Sequence, residues 1–193
     1  MTDPEDGATP LDPDELHGLR LRHIASQEQL NLAEIRNIAR ALADRRWYSL
    51  STSDLLDDHV LRVLHRAMFG EVWEWAGRYR TTEKNIGCDP TEIAIRVREL
   101  CEAAKYWFSD TESLDEAGCK FHHQLVSIHP FVNGNGRHSR LATDLLMQSA
   151  GGFAFTWGRV NLVTPSDTRT AYIATLRAAD RGDIGPLLAF VRA

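Results

Sequence analysis

Cysteine is scarce in this chain and poorly spaced for its structural uses. Cys88, Cys101 and Cys119 are an odd number with no C-x-x-C pair, so neither a disulfide framework nor a structural zinc site is expected. Reduced thiols in a cytoplasmic protein are the plain expectation. No run approaches the ~20 apolar residues of a membrane span. The opening MTDPEDGATPLDPDEL holds no apolar h-region and does not read as a secretory signal. A basic excess is missing too: the net charge of −5 argues against general binding to nucleic acid or an anionic membrane. Both usual nucleotide signatures are absent, G-x-x-x-x-G-K-[ST] and a G-x-G-x-x-G after a strand. The chain also lacks internal repeats.

What the chain does have is helical periodicity. Residues 1–25 read as an extended acidic arm with Pro4, Gly7, Pro10 and Pro13, and 26–193 as one domain. From Ser26 to Trp47, Leu32, Ile35, Ile38, Ala39 and Leu42 recur at helical spacing. Ser53 is the expected cap of the next helix and Gly70 its stop. Asp89-Pro90 and Ser113 with Glu116 are start signals for two more helices, and Pro130 ends the second. Further helices are expected after Gly136, after Ser166 and over 185–191. Between Gly70 and Asp89 the rhythm breaks, and Gly77, Tyr79, Thr81, Thr82, Asn85 and Gly87 predict a short hairpin or extended flap. The expected fold class is mostly α with one short β-hairpin.

The stretch HPFVNGNGRHSR, His129 to Arg140, concentrates donors and positive charge at a helix start. The first amides of a helix lack intrahelical acceptors, and glycines let the backbone approach a ligand closely. Gly134, Asn135 and Gly136 thus predict an anion hole, with Arg137 and Arg140 as phosphate clamps. His129 can serve as a general base near pH 7. Each part alone has a plain alternative: a turn, a helix-terminal histidine, a solvated arginine pair. Their joint spacing points to transfer of a phosphate-linked group.

This stretch resembles the Fic motif, HPFx[D/E]GNGRxxR. The resemblance continues through LHRAMFGEVWEWAGRYRTTEKNIG, FHHQLVSIHPF, FTWGRVNLV and LRAADRGDIGPLLAF, and these flanks look like the Fic subfamily called mobile mystery protein B. It implies a helical Fic fold and a protein adenylyltransferase that moves AMP from ATP to a hydroxyl of a target protein, with Mg²⁺. His129 would be the base, the backbone around Gly134, Asn135 and Gly136 the phosphate holder, and Arg137 and Arg140 the clamps. Thr82, Glu83, Lys84 and Asn85 would form the flap that docks the target by strand addition. Lys84 either reaches the phosphates or is a solvated flap lysine. Tyr172 either contacts the nucleoside or is a core or surface tyrosine. An antitoxin or DNA-binding partner protein and a homodimer are suggested by the resemblance alone.

The sequence departs from the motif at Asn133, where Fic enzymes carry Asp or Glu to hold Mg²⁺. One neutral carbonyl oxygen holds that ion less well. A working enzyme needing more Mg²⁺, a slow enzyme, or altered chemistry such as phosphoryl transfer or removal of AMP all stay open, as does a nucleotide- or peptide-binding regulator without turnover. No complete [S/T]-x-x-x-E-[G/N] inhibitory segment occurs. TDPEDG at 2–7 has Asp in place of Glu, and SQEQLN at 26–31 has Leu30 there with Glu28 nearby, so inhibition by an internal glutamate is not expected. His122, His123, His129 and His138 lack a carboxylate at ligand spacing, so no histidine metal site is expected. The five tryptophans read as packing.

Overall fold

Capping residues set most helix boundaries. A computed structural model describes residues 13–109, 113–159 and 167–193. A single turn, α1 (Pro13–Leu16), precedes α2 (Gln27–Leu42), where Ser26 accepts from Gln29 N–H. The next caps are Ser51 for α3 (Thr52–Leu55) and Asp57 for α4 (Asp58–Phe69). Ser53, the expected cap, lies inside α3, because Ser51, two residues earlier, forms a reciprocal capping box with Asp54. Gly70 does end α4. Asp89 accepts from Thr91 N–H ahead of α5 (Ile93–Ser109), and Ser113 caps α6 (Leu114–Ile128). Then come α7 (Asn135–Ser149), α8 (Asp167–Asp180) and α9 (Gly185–Val191). Thr2–Gly7, Ser166 and all of NLV at 161–163 fall outside the described residues.

The main core gathers Leu61, Leu64, Met68 and Phe69 of α4, Val97 and Leu100 of α5, Phe121 and Leu125 of α6, and Leu145 and Leu146 of α7. A second core joins Cys119, Met147, Phe155, Trp157, Tyr172, Leu187 and Val191. Asp144 of α7 ties the two, accepting from Phe155 N–H and Trp157 Nε1–H. Close packing of α6 on α7, with only the loop 129–134 between them, presents that loop at one end of a helical hairpin. No described helix is long and apolar enough to cross a membrane.

Two expectations are corrected here. The periodic stripe Leu32, Ile35 and Leu42 of α2 is exposed, Leu32 and Ile35 at 46% each. The face that turns inward carries Glu34, Asn37 and Ala41. Its polar groups find partners there: Asn37 donates to the Ala67 carbonyl and accepts from Glu71 N–H, and Glu34 accepts from Trp73 Nε1. Satisfied buried polar groups thus override the hydrophobic count. The flap, in turn, contains no strand among its described residues. Its only pairing is an isolated bridge between Tyr79 and Phe131.

Candidate active site

His129 ends α6 in the left-handed conformation, φ 53° and ψ 59°. Non-glycine residues rarely adopt it. The reason is local: Pro130 disfavours the right-handed helical region for the residue before it, so the helix breaks at the histidine. Asn135 then locks the loop, its Oδ1 accepting from Phe131 N–H at 2.9 Å and its Nδ2 donating to Phe131 O at 2.8 Å. Gly134 caps α7 at φ 79°, and a Cβ there would stand 2.6 Å from the Phe69 ring. Only glycine fits both constraints. The amides of Asn135, Gly136 and Arg137 open α7 without an intrahelical acceptor, so any anion binding there would be by backbone, because the Asn135 side chain serves the loop.

Burial, above all, pushes His129 down to about 4, and the Arg80 guanidinium adds to it. The carbonyl of Val126 acts the other way but more weakly, and Lys84 lowers it slightly further. The imidazole is therefore neutral at pH 7, with a nitrogen able to take a proton.

The two motif arginines part company. Arg140 remains over the helix start, its Nη1 3.6 Å from where a Gly136 Cβ would be, and its guanidinium 5.6 Å from the Tyr172 ring centre. Arg137 instead lies on the Phe69 ring and donates to Glu34 Oε2 at 2.7 Å. Glu34 is buried and Arg137 is partly so, which makes this a part-buried ion pair. A glutamate from α2 thus does reach a motif arginine, contrary to expectation. It is Glu34, one turn beyond the segment 26–31, and its partner is the first arginine. Nothing local in the pattern of α2 marks Glu34 as the inward-facing carboxylate. Tyr172 takes the packed alternative: it is buried in the second core with its hydroxyl 2.7 Å from His122 Nε2. It backs Arg140, whose guanidinium stands over its ring.

Asn133 does not stand as an expected metal ligand would. Its Oδ1 accepts from Gly134 N–H at 2.5 Å, and its main-chain carbonyl accepts from His65 Nε2. No group of three or more His, Cys, Asp or Glu suited to a metal occurs among the described residues. One neutral oxygen already engaged in its own loop does not make a Mg²⁺ site. His122 and His123 turn apart, to Tyr172 and to Asp180.

His65 went unnoticed in the sequence. Buried in α4 and stacked on Phe131 with ring centres 3.8 Å apart, it accepts from Gly77 N–H through Nδ1, which leaves Nε2–H to donate to Asn133. It thereby joins the base of the flap to the loop. Arg80 was also missed. Its buried guanidinium donates to the carbonyls of His129 (2.7 Å), Thr82 (2.9 Å) and Cys88 (2.5 Å). One cation gathers both ends of the flap and His129, replacing the cross-strand bonds of a hairpin. Nothing in GRYR distinguishes a buried arginine from a solvated one. Of the flap residues, Thr82, Glu83 and Asn85 are exposed. Lys84 is neither solvated nor free for phosphate, since its Nζ lies 2.5 Å from Glu15 Oε2.

Residues 55–147 match the model of the Fic/DOC family. The chain carries a Fic domain. The Fic domain and its flanks are 30% identical over 167 residues to protein adenylyltransferase fic-1 of Caenorhabditis elegans, covering 82% of this chain and 30% of that protein. Protein adenylyltransferase Fic of Drosophila grimshawi is 30% identical over 137 residues, 66% of this chain and 26% of its own length. The chain therefore spans less than a third of these curated relatives. A structure of Fic-1 from C. elegans superposes with a TM-score of 0.65 at 27% identity, over 88% of this chain and 50% of that one. BepC from Bartonella tribocorum, solved with bound AMPPNP, gives 0.68 at 18% identity over 89% of each chain, a likeness of fold alone. The mostly helical Fic fold expected from the sequence is thus the observed one.

Proposed function

We propose that this chain is a Fic-type protein adenylyltransferase, moving AMP from ATP to a hydroxyl side chain of a target protein. The observation that carries this reading is His129, buried at the end of α6 and joined by the short loop 129–134 to the open start of α7. In the reaction the target hydroxyl loses its proton to His129, and its oxygen bonds to the α-phosphorus. The bond to the leaving pyrophosphate breaks. The first amides of α7 and Arg140 bear the phosphate charge. Asn133 supplies no charge for Mg²⁺, so any ion is left to the phosphates of ATP.

The resemblance in the flanks supports placement in the mobile mystery protein B subfamily. With it go a cytoplasmic, toxin–antitoxin setting, an antitoxin or DNA-binding partner protein, and a homodimer. Residues 26–193 are read as the domain and 1–25 as an arm, of which Leu19 and Leu21 pack on the main core. Incubation with ATP labelled at the α-phosphate tests the reaction. Wild type is expected to transfer label to protein and His129→Ala to lose it by at least ~100-fold. Equal labelling by both would remove His129 from its role. Label arriving from γ-labelled ATP instead would show phosphoryl transfer.

A second reading, a nucleotide-binding regulator without turnover, draws on the Glu34–Arg137 pair and on Asn133. It requires ATP binding with no product at any Mg²⁺ concentration.

A further inference from the structure

Three successive carbonyls at the bend around His129 take hydrogen bonds from the flap. Ile128 O accepts from Cys88 N–H at 3.3 Å, His129 O from Arg80 Nε at 2.7 Å, and Pro130 O from Arg80 N–H at 3.0 Å. The next residue, Phe131, bridges to Tyr79. The two ends of the flap thus fasten the residues before, at and after the histidine. Gly87 completes the fit at φ 109°, where a Cβ would lie 2.7 Å from His129 Cβ and 2.6 Å from Arg80 Nη2. His129 is itself left-handed, at φ 53°, a conformation that a non-glycine residue keeps only where its surroundings over-determine it. Much of that constraint passes through one side chain. The Arg80 guanidinium is buried and reaches Thr82 O and Cys88 O as well as His129 O. Its planar fork can serve three carbonyls in fixed directions, which a lysine ammonium cannot.

We propose that Arg80 is a positioning residue for AMP transfer: its guanidinium makes the flap and His129 one rigid unit, so that a hydroxyl presented on the flap arrives within reach of the imidazole. The proposal rests on the reading of His129 as the base and of the flap as the docking segment, and adds the link between them. Thr82 and Cys88 stand on either side of the stretch 83–87, and Arg80 ties both to the histidine's own carbonyl. Proton transfer needs the two heavy atoms ~2.6–3.2 Å apart, and a misplacement of ~1 Å costs ~100-fold in rate. The Arg80 charge acts separately. After burial it is the main influence lowering the imidazole, with Lys84 adding slightly and the Val126 carbonyl opposing. Lysine at position 80 keeps a positive charge and loses the fork, so the two effects can be told apart.

The test compares Arg80→Lys and Arg80→Met with wild type as full chains, each rate taken per folded molecule by circular dichroism. The first readout is self-labelling from ATP labelled at the α-phosphate, followed across ATP concentrations. The maximal rate is expected to fall ~100-fold in Arg80→Met and at least ~10-fold in Arg80→Lys. The ATP concentration at half-maximal rate should stay within about twofold, because the start of α7 and Arg140 are untouched. If Arg80→Met does not fold, Arg80→Lys carries the test. The second readout needs no turnover: NMR relaxation dispersion of His129 and of the amides of 82–88. Exchange broadening of both in Arg80→Lys, absent from wild type, is expected. A wild-type rate in folded Arg80→Lys, a loss confined to ATP affinity, or unbroadened His129 signals overturns the proposal. A merely structural staple would lower the melting midpoint and leave the rate per folded molecule unchanged. Should wild type transfer no AMP, the reading of function fails by itself, and the dispersion data alone decide whether Arg80 holds the histidine to the flap.

Discussion

The loop at 129–134 and the flap at 77–90 are both irregular backbone beside one histidine, yet they are held by opposite means. The loop is fastened from within by buried groups: both amide atoms of Asn135, the imidazole of His65, and a left-handed Gly134 seated on Phe69. The flap is gathered at its base by Arg80 and covered at Lys84 by Glu15. On the proposed function, fixed dipoles in the loop would meet phosphate without reorganisation, and side-chain contacts in the flap would suit a surface that receives protein segments.

Acid should separate the two regions most strongly. Burial, in each case the leading cause, lowers His122 to about 3, His129 and His138 to about 4, and His65 in the same direction. These imidazoles stay neutral when folded, so their stability is fully present above pH 6.5 and is lost as pH falls towards the folded values. By pH 5 each of the three with a value has cost about 2 kcal/mol. Asp144, which burial raises to about 6, takes up a proton over the same interval and returns about 1 kcal/mol. A net fall on the order of 5 kcal/mol between pH 7 and 5 is expected in urea unfolding. The described flap has no histidine, so a loss of amide protection that began at 80–88 rather than 129–138 would break the comparison.

Arg80→Met comes next, at about 4 kcal/mol, because three carbonyls lose a charged donor. Hydrogen exchange should quicken across 81–88 more than across 133–138, and equal acceleration would mean that the two regions share one fastening. Glu34→Gln should cost about 2 kcal/mol by leaving the partly buried Arg137 without its anion. If Arg137 is thereby freed to meet phosphate, calorimetry will show ATP binding severalfold tighter, whereas unchanged affinity would assign the arginine to structure alone. The smallest effect is expected from Tyr172→Phe, which loses one hydroxyl contact to His122 and about 1 kcal/mol. A tenfold loss of ATP affinity there would restore Tyr172 to the nucleoside.

Where sequence reading succeeded, the signal was local. Ser26, Gly70, Asp89, Ser113 and Pro130 mark helix ends because capping and proline geometry act within a few residues. HPFVNGNGRHSR announces the open start of α7 because two glycines and the helix's first amides are neighbours in the chain. The orientation of α2 was not legible, since Glu34 and Asn37 turn inward only because Trp73, Arg137, Ala67 and Glu71 wait there. The hairpin expected from Tyr79, Thr81 and Thr82 failed for a similar reason, Arg80 having taken the carbonyl of Thr82.

The sequence by itself determined the helices, the left-handed break at His129 and the amide-lined start of α7, all consequences of short-range sterics. Tertiary structure alone decided which charges are spent. It paired Arg137 with Glu34 and Lys84 with Glu15, placed Arg80 among three carbonyls, and left Arg140 at the helix start. A buried charge takes whichever counter-charge or carbonyl the fold brings within hydrogen-bond reach, and that proximity is set by the packing of distant segments.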